Sequence, residues 1–396
     1  MLTGDGYVII IITDKKRGER MIKILHTADL HLDSAFSSLS HTQSEERREG
    51  LRNTFRKMMA YAAEEKVDIV LMPGDVFDCS YISRDTLDIL CSCFESLPCP
   101  VVIAPGNHDP YTQGSIYASG RLPQNVHIFS SENPTHFDFP ELNLSVWGAA
   151  FTRDRYENSV LASIRGLDPQ KINILCQHGD THSTVSTKAP LSVKDIAYRG
   201  FVYAALGHIH VPPEPVTVTS ADGERTTTVA YSGCPEGRSF DEPGFGGALL
   251  VETDGKTTSL RRIIFAEKRY MVEELDVSGA DSDEAIADMV KKLISDKSYG
   301  KETSLRVILR GEVASTLHPD LTAIASSAAG ELYLLELRDR TLPCFDTEFL
   351  ENDISLRGAL YRSLAEKLSA DDEYERRVAA EALRVGLAAL DGRRII

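Results

Sequence analysis

The sequence predicts a layered α/β fold of mixed β-sheets flanked by helices, followed by a small α+β capping domain and a helical C-terminal tail. Its 396 residues are too many for one average domain and indicate two domains with an appendage. Over the first half, short apolar runs rich in β-branched residues alternate with helical patterns, which is typical of an α/β sheet covered on both faces. Further on, the apolar runs become closely spaced, which indicates antiparallel strands.

The N-terminal segment, residues 1–20, is expected to be an extension outside the fold. Its apolar stretch, Tyr7–Ile12, is far too short to span a membrane, and no basic residues precede it as a signal peptide requires. Met21 opens a second strand that is complete in itself, MIKILHTADLH. We therefore expect neither export nor membrane insertion.

Residues 21–266 are expected to form one layered domain. Helical periodicity fits Ser44–Glu65 and Arg84–Ser96, and the first of these carries an apolar stripe that should pack against a sheet. The predicted strands of the first half are Ile22–Thr27, Asp68–Met72, Val101–Ala104, Leu142–Gly148, Ile172–Gln177 and Val202–Leu206. After His210, four stretches indicate antiparallel strands: EPVTVTS, RTTTVAYSG, GALLVETDG and TTSLRRIIF.

Beyond this domain the sequence predicts a smaller unit and a tail. Residues 267–342 show a β-α-β-α-β order and form the predicted capping domain, and residues 343–396 form the helical tail. The predicted helices of both parts are Ser282–Ser295, Leu321–Ala329, Ser355–Leu368 and Asp371–Leu390. The last helix is amphipathic, so it packs either on its own protein or on a partner.

The composition is that of a globular protein, and its formal net charge is −16. That charge argues against a generally basic surface for nucleic acid. It leaves room for a local basic groove, or for a site whose positive charge comes from metal ions. The seven cysteines form no CxxC pair, which favours a reduced, cytoplasmic protein with unpaired thiols.

Carboxylate and imidazole side chains follow the predicted strands at the points where the strands end. The stretches are TADLHLDS, PGDVFD, PGNHDP, CQHGD and GHIH. In an open α/β sheet the carboxyl ends of the strands gather along one edge, where ligands bind. We therefore expect the five clusters to converge, although each histidine taken alone would more often be an ordinary hydrogen-bonded residue.

The combination of side chains predicts a centre for two metal ions. Imidazole, carboxylate and one amide oxygen form a mixed nitrogen and oxygen set, which suits Mn²⁺, Fe²⁺ or Zn²⁺ and differs from a thiolate-rich structural zinc site. The spacings Asp-x-His and His-x-His place two ligands on the same side of an extended segment. The set is too large for one ion and fits two ions roughly 3.5–4 Å apart with a bridging carboxylate, as in phosphoester hydrolases.

As a set, the motifs D-x-H, G-D, G-N-H-D, H and G-H-x-H over residues 22–265 resemble those of the calcineurin-like metallophosphoesterases. The resemblance implies one metal ion held by Asp29, His31, Asp75 and His210, and another held by Asp75, Asn107, His178 and His208. It further implies that His108 is the general acid and that Asp78 orients this imidazole. Two divalent ions are implied as cofactors, with Mn²⁺ preferred and Fe, Zn or Mg as alternatives.

Within that family the chain is most similar to DNA repair exonucleases of the SbcD and Mre11 type, and in particular to the YhaO-like branch. The similarity is carried by ILHTADLHLDSAF, LMPGDVFDCSYIS, APGNHDP and GHIH, followed by YSGCPEGRSFDE. It implies DNA as the substrate, a coiled-coil ATPase of the SMC and Rad50 type at the helical tail, and a homodimer formed through the phosphoesterase domain. The Cys79-Ser80 pair after Asp78 departs from the GDxVDRG of serine/threonine phosphatases, which disfavours that branch.

The sequence therefore predicts a metal-dependent phosphodiester hydrolase acting on DNA, an exonuclease or endonuclease of DNA repair. In such a mechanism a water activated by the two ions attacks in line, and His108 protonates the departing oxygen. Arg238 is the candidate substrate-binding residue, with Arg153 and Arg155 as further guides for the DNA backbone. Two alternatives stay open: a phosphatase or phosphodiesterase for a small nucleotide or a lipid intermediate, and a non-catalytic scaffold subunit. The complete ligand set and His108 argue against the scaffold.

Overall fold

The computed structural model describes residues 21–37, 39–78, 82–183, 185–220, 223, 225–314 and 317–390. The expected N-terminal extension and the Cys79-Ser80 pair lie outside the described residues. The chain divides into two compact units, the first ending at Arg269 and the second beginning at Tyr270. All candidate metal ligands belong to the first unit.

The first unit is built from two β-sheets and the helices between their strands. Its elements are β1 (Ile22–His26), α1 (His41–Glu64), β2 (Ile69–Met72), α2 (Arg84–Glu95), β3 (Val101–Ile103), β4 (Val126–Ile128), β5 (Thr135–Phe139), β6 (Leu144–Gly148), β7 (Ile172–His178), α3 (Val193–Arg199), β8 (Tyr203–Gly207), β9 (Val216–Thr219), β10 (Thr226–Tyr231), β11 (Gly247–Thr253) and β12 (Thr258–Ile264). Both sheets have six strands, in the orders β12-β11-β1-β2-β3-β4 and β5-β6-β7-β8-β10-β9. Four neighbouring strands run parallel in each sheet: β1 to β4 in the first, and β6, β7, β8 and β10 in the second.

The two sheets pack face to face, and successive residues of their strands point to opposite faces. Along β1, Ile24 lies in the apolar cluster between the sheets, together with Val146 and Ala205 of the second sheet. Its neighbour Leu25 lies in the cluster on the other face, together with Phe55 of α1. Both faces of the central strands are therefore buried, which explains their nearly unbroken apolar sequences.

Helix α1 begins with a capping box, in which the Ser40 hydroxyl accepts from the Gln43 N–H and the Gln43 side chain accepts from the Ser40 N–H. Its predicted apolar stripe is buried in the core of the first unit. The stripe residues are Leu51, Phe55, Met58, Met59 and Ala62. Since the unit's own core covers this face, a dimer formed through α1 would need the opposite face of the helix.

The predicted fold class is confirmed, but the strands are arranged differently from the expectation in two respects. The sequence predicts one sheet edge for all polar clusters, whereas β1, β2 and β3 lie in one sheet and β7 and β8 lie in the other. The pairs β9–β10 and β11–β12 are antiparallel, as predicted, but they belong to different sheets, and β10 pairs with β8 in parallel. The sequence pattern does not reveal β4, β5 and α3, because β4 is short and only half-buried, β5 is mostly exposed and α3 has two turns.

The second unit combines a small α+β core with helices at its C-terminal side. Its elements are β13 (Arg269–Asp276), α4 (Asp283–Asp296), β14 (Thr303–Arg310), β15 (Glu312–Ala314), α5 (Leu321–Ala328), β16 (Leu334–Asp339), β17 (Leu342–Cys344), α6 (Thr347–Asn352), α7 (Leu356–Leu368) and α8 (Glu373–Leu390). Strand β14 lies between β13 and β16, and α4 and α5 cover this sheet through Ile286, Val290 and Ile324. Strands β15 and β17 form a separate parallel pair.

The C-terminal helices pack within this second unit. Leu383 and Leu387 of α8 share a small apolar cluster with Leu350 of α6. Arg310 of β14 also donates to Glu373 of α8, at 3.0 Å. The region predicted as a tail is therefore joined to the small α+β core by both apolar and polar contacts.

The described residues include six cysteines, and all six are free thiols. Three of them, Cys99, Cys176 and Cys234, are buried, in keeping with the predicted unpaired cysteines. In the part of the chain that the structure describes, no helix combines the length and the apolar character needed to cross a membrane.

Candidate metal centre

The candidate ligands follow strands of both sheets, where the carboxyl ends of these strands approach each other. Asp29 and His31 follow β1, Asp75 follows β2, Asn107 follows β3, His178 ends β7, and His208 and His210 follow β8. The two sheets thus bring together side chains that are far apart in the chain. His31 Nε2 lies 3.1 Å from His210 Nε2, across 179 residues of sequence.

Backbone hydrogen bonds hold the ligand-bearing loops in place. The His31 N–H donates to Asp75 O at 3.0 Å, and the His208 N–H donates to both carboxylate oxygens of Asp29, at 2.9 and 3.0 Å. Four candidate ligands have a left-handed backbone: Asp29 (φ 53°), His31 (φ 45°), Asp75 (φ 50°) and His208 (φ 106°). This conformation is unfavourable for residues with a side chain, and such strain concentrates at functional sites where the surrounding contacts maintain it.

Two glycines allow the loops to approach this closely. A Cβ on Gly207, at the end of β8, would lie 2.0 Å from Pro73 O, which follows β2 in the other sheet. A Cβ on Gly106 would lie 2.2 Å from Asp75 Oδ1. Any side chain would collide at these positions, so the glycines of GHIH and PGNH are required by close packing.

The first predicted metal site is compact and largely buried. Asp29, His31, Asp75 and His210 each offer one ligand atom, and these atoms all lie within 4.8 Å of one another. His31 Nε2 lies 3.8 Å from Asp75 Oδ2. Two imidazole nitrogens and two carboxylates that converge in this way form a donor set suited to a divalent transition-metal ion.

In His31 and His210, the hydrogen bond made by Nδ1 determines whether Nε2 carries a proton or a lone pair. His31 Nδ1 lies 2.9 Å from Asp78 Oδ1, and His210 Nδ1 lies 2.7 Å from Glu242 Oε1. A carboxylate only accepts, so each Nδ1 carries the proton and each Nε2 presents a lone pair to the other. The two lone pairs can face each other at 3.1 Å only if they share a proton or a cation. This arrangement fits a metal ion, which takes the place of that proton.

The second predicted site shares Asp75 with the first and adds side chains at or after the carboxyl ends of β3, β7 and β8. His178 Nδ1 lies 3.0 Å from the carbonyl oxygen of Pro73, so the proton is on Nδ1 and Nε2 is free to bind metal. This Nε2 lies 3.1 Å from Asn107 Oδ1 and 3.4 Å from Asp75 Oδ2. The ring of His208 lies beside that of His178, with centroids 5.3 Å apart. Asp75 therefore belongs to both donor sets, as a bridging carboxylate requires.

Burial sets the charge states of the ligand side chains. It lowers the pKa of His31 to about 4 and that of His208 to about 4, and it also lowers the pKa of His178. These imidazoles are neutral at pH 7 and able to bind metal. Burial, reinforced by the charge of Asp75, raises the pKa of Asp29 to about 8. A raised pKa of this kind is the effect of burying a carboxyl group without a cation beside it, and a bound metal ion would favour the ionised form.

His108 occupies the rim of this centre. Its side chain is 45% exposed, and its backbone N–H donates to Asp75 Oδ1 at 2.9 Å. The distance from His108 Nδ1 to Asp78 Oδ1 is 3.6 Å, beyond hydrogen-bond range. The sequence predicted that Asp78 orients His108, but this carboxylate accepts hydrogen bonds from His31 Nδ1 and Arg238 Nη1 instead.

The three candidate substrate-binding arginines have different surroundings. Arg238 lies at the centre, where its guanidinium donates to Glu242 Oε1 at 2.8 Å and to Asp78 Oδ1 at 3.0 Å. Arg153 and Arg155 are exposed and lie beside the carboxylates of Glu132 and Asp154, respectively. Arg238 Nη1 also donates to Ser34 Oγ at 3.2 Å, and Nη2 lies 3.3 Å from His210 Nδ1, so the donors of Arg238 are directed to protein groups rather than to solvent.

Two acids at the centre were missed by the sequence reasoning. Glu242 holds His210, and Asp109 accepts from the backbone N–H groups of Gly106, Asp75 and Val76 at 2.8, 3.1 and 2.7 Å. Both lie within stretches that the sequence singled out, PGNHDP and YSGCPEGRSFDE. The sequence could have indicated Glu242 through its position four residues after Arg238, a spacing at which the two side chains can form an ion pair.

The sequence is similar to several known proteins. The family profile described as calcineurin-like phosphoesterase matches residues 22–214. The uncharacterized metallophosphoesterase YhaO of Bacillus subtilis is 30% identical over 308 residues, which cover 73% of this chain and 72% of that protein. A subunit of the nuclease SbcCD from Staphylococcus epidermidis is 24% identical, over 68% of this chain and 75% of that protein. The DNA double-strand break repair protein Mre11 of Saccharolobus solfataricus is 24% identical, over 74% of this chain and 76% of that protein.

Proposed function

The chain belongs to the calcineurin-like metallophosphoesterase family, and from this premise we propose that it is a metal-dependent phosphodiester hydrolase acting on DNA. The observation that carries the proposal is the convergence of imidazole nitrogens and buried carboxylates at the ends of both sheets. Two divalent ions are the proposed cofactors, with Mn²⁺ as the first candidate. One would be held by Asp29, His31, Asp75 and His210, and the other by Asp75, Asn107, His178 and His208.

The protein's own contribution to the reaction is orientation and proton transfer. When bound, the ions would supply a water of lowered pKa and stabilise charge on the phosphate. Asp75 is buried between the two donor sets, and its hydrogen bond from the His108 N–H anchors His108 beside them. An exposed imidazole in this position can protonate the oxygen that leaves, so His108 is the proposed general acid.

DNA as the substrate is supported by the relatives rather than by surface charge. The names of two relatives state a nuclease and a DNA double-strand break repair protein, while the name of YhaO states no substrate. The chain carries a net charge of −16, so its attraction for a polyanion has to be local. Cations bound at the clustered carboxylates would provide that attraction.

The substrate assignment is tested by incubating the purified protein with Mn²⁺ and end-labelled single- and double-stranded DNA. A bis-phosphate ester and a panel of nucleotides are assayed in parallel. We expect Mn²⁺-dependent cleavage of DNA that EDTA abolishes. Cleavage of small nucleotides or phosphomonoesters without cleavage of DNA would instead support the small-molecule phosphatase or phosphodiesterase.

We also propose two partners: a second copy of the chain, bound through the first unit, and a coiled-coil ATPase of the SMC and Rad50 type. The relative from Staphylococcus epidermidis is, by its name, one part of a larger nuclease. On the second unit of this chain, α8 exposes Tyr374 and Val378, apolar residues that a partner helix could cover.

A further inference from the structure

One guanidinium connects the two carboxylates that hold the histidines of the first metal site. Arg238 Nη1 donates to Asp78 Oδ1 at 3.0 Å, and Arg238 Nη2 donates to Glu242 Oε1 at 2.8 Å. The same two oxygens accept from His31 Nδ1 at 2.9 Å and from His210 Nδ1 at 2.7 Å. The chain of contacts closes into a ring where His31 Nε2 and His210 Nε2 meet at 3.1 Å.

We propose that Arg238 is a positioning residue of this site: by bridging Asp78 and Glu242 it fixes the Nδ1–H tautomers of His31 and His210 and directs both Nε2 lone pairs to one metal ion. The inference rests on the proposed metal centre and replaces the substrate-binding role expected for Arg238. Outer partners of this kind orient the ligand rings and raise their basicity toward the metal.

The chemistry of this position requires a guanidinium. Asp78 and Glu242 are two carboxylates in one partly buried cluster, and without a cation between them they would repel each other. A planar guanidinium has donors in a fixed fork and binds two carboxylates at once, whereas a lysine ammonium acts as a single point charge. The Arg238 side chain is only 18% exposed, so it is held within the cluster rather than free for a phosphate in solution.

The position of Arg238 is in turn fixed by helix α1. The Arg238 backbone N–H donates to Glu242 Oε2 at 2.7 Å, which closes the loop on itself. Just before it, the carbonyl oxygen of Gly237 accepts from Arg47 Nη2 at 2.7 Å, and Glu236 accepts from Arg47 Nη1 at 2.7 Å. Arg47 and Glu236 are both almost fully buried, so this ion pair fastens the loop to α1.

The second metal site is oriented by a different kind of contact. Its His178 is held by the backbone carbonyl of Pro73, at 3.0 Å, and not by a carboxylate that Arg238 contacts. A substitution of Arg238 should therefore weaken the binding of one metal ion and leave the other ion bound. A general loss of folding would affect both ions.

The test is Mn²⁺ titration of the full chain, followed by isothermal calorimetry and by the EPR signal of free Mn²⁺, for wild type, Arg238→Lys and Arg84→Lys. Arg84 is an exposed residue of α2 and serves as the control. For Arg238→Lys we expect about 10- to 100-fold weaker binding of one of two ions, with the other unchanged. Unchanged affinity for both ions, or an equal loss at both, would overturn the proposal. For Arg84→Lys we expect wild-type binding.

A second measurement separates this proposal from the proposed function. In metal-free protein, ¹⁵N spectra of the histidine rings should show a proton on Nδ1 of both His31 and His210, and Arg238→Lys should lower the fraction of each ring that carries this Nδ1 proton. If wild type binds no Mn²⁺, the proposed function fails and these spectra still decide the role of Arg238. If Arg238→Lys does not fold, Glu242→Gln and Asp78→Asn take its place. Each should weaken the same single ion, and wild-type affinity in both would refute the proposal.

Discussion

At the scale of single residues, His26 shows how burial determines the charge of an imidazole that is close to the centre but outside it. His26 Nε2 lies 3.1 Å from Leu206 O and therefore donates, so Nδ1 accepts from the Tyr203 hydroxyl at 2.8 Å. The side chain is completely buried at the end of β1, and burial lowers its pKa from 6.5 to about 3. It links the two sheets as a neutral hydrogen-bonding group.

This residue predicts acid sensitivity of the fold. Because the pKa of His26 is lower in the folded than in the unfolded state, its contribution to stability is full above pH 6.5 and is lost as the pH falls toward 3. Between pH 7.5 and 5 the expected loss is about 2 kcal/mol in the free energy of unfolding. His26→Gln keeps one donor and one acceptor without titrating, so it should flatten this dependence. Urea unfolding at both pH values measures it, and an equally steep dependence in His26→Gln would show that other groups are responsible.

The proposed division between metal ligands and general acid predicts different losses for Asp75 and His108. His108→Ala should keep both metal ions and lose about 10²- to 10⁴-fold in turnover, because only proton transfer is removed. Asp75→Ala should lose metal as well, because this carboxylate belongs to both donor sets. Metal content by mass spectrometry, measured beside DNA cleavage, checks both variants. A His108→Ala protein without metal would show that His108 is a ligand.

At the scale of elements, the junction between the carboxyl ends of β2 and β8 depends on a glycine. Gly207→Ala would place a Cβ 2.0 Å from Pro73 O, so the sheets would have to move apart at the metal centre. We expect a destabilisation of about 1–3 kcal/mol, together with weaker metal binding. Gly114→Ala is the matched control, since a Cβ there meets no atom within 4 Å. Thermal unfolding and Mn²⁺ titration of both variants test this, and wild-type behaviour of Gly207→Ala would contradict the close packing.

The sequence predicts most elements of the first unit because their causes are local. Strands β1, β2, β3, β7 and β8 are short apolar runs followed by polar motifs, and α1 has both a periodic stripe and a capping box. The division of the ligands between two sheets could not be predicted, because strand order depends on pairing between distant segments. The hydrogen bond between Asp78 and His31 could not be predicted for the same reason. It depends on the folded structure, in which Asp78 Oδ1 lies 2.9 Å from His31 Nδ1 and 3.6 Å from His108 Nδ1.

At the scale of the whole molecule, the proposed metal centre and the proposed surface for the ATPase belong to different compact units. All proposed metal ligands belong to the first unit, and α8 with its exposed Tyr374 and Val378 belongs to the second. Leu342, the predicted end of the capping domain, begins β17, which pairs with β15. A cut there would disrupt the second unit, so Arg269 is the better end point for a truncated chain.

A chain that ends at Arg269 is expected to keep both metal ions, cleavage of a bis-phosphate ester and the proposed homodimer, and to lose ATPase binding. Light scattering at micromolar concentration measures the dimer, and co-purification with the ATPase measures the second interaction. A strict monomer that is fully active on DNA would show that pairing is not needed. ATPase binding that survives the truncation would exclude the second unit as the docking site.

The division of the proposed metal ligands between two sheets also has a consequence during synthesis of the chain. His31 and His210 are 179 residues apart, so a growing polypeptide that has only β1 to β3 carries part of the candidate ligand set and lacks His178, His208 and His210. Such an incomplete chain would bind divalent ions weakly and could not carry out the proposed reaction. Once both sheets have packed together, each bound ion stabilises the folded state by mass action, because its proposed ligands come from both sheets. Activity would then appear together with the finished fold, and local opening of the sheets would switch it off before the protein unfolds.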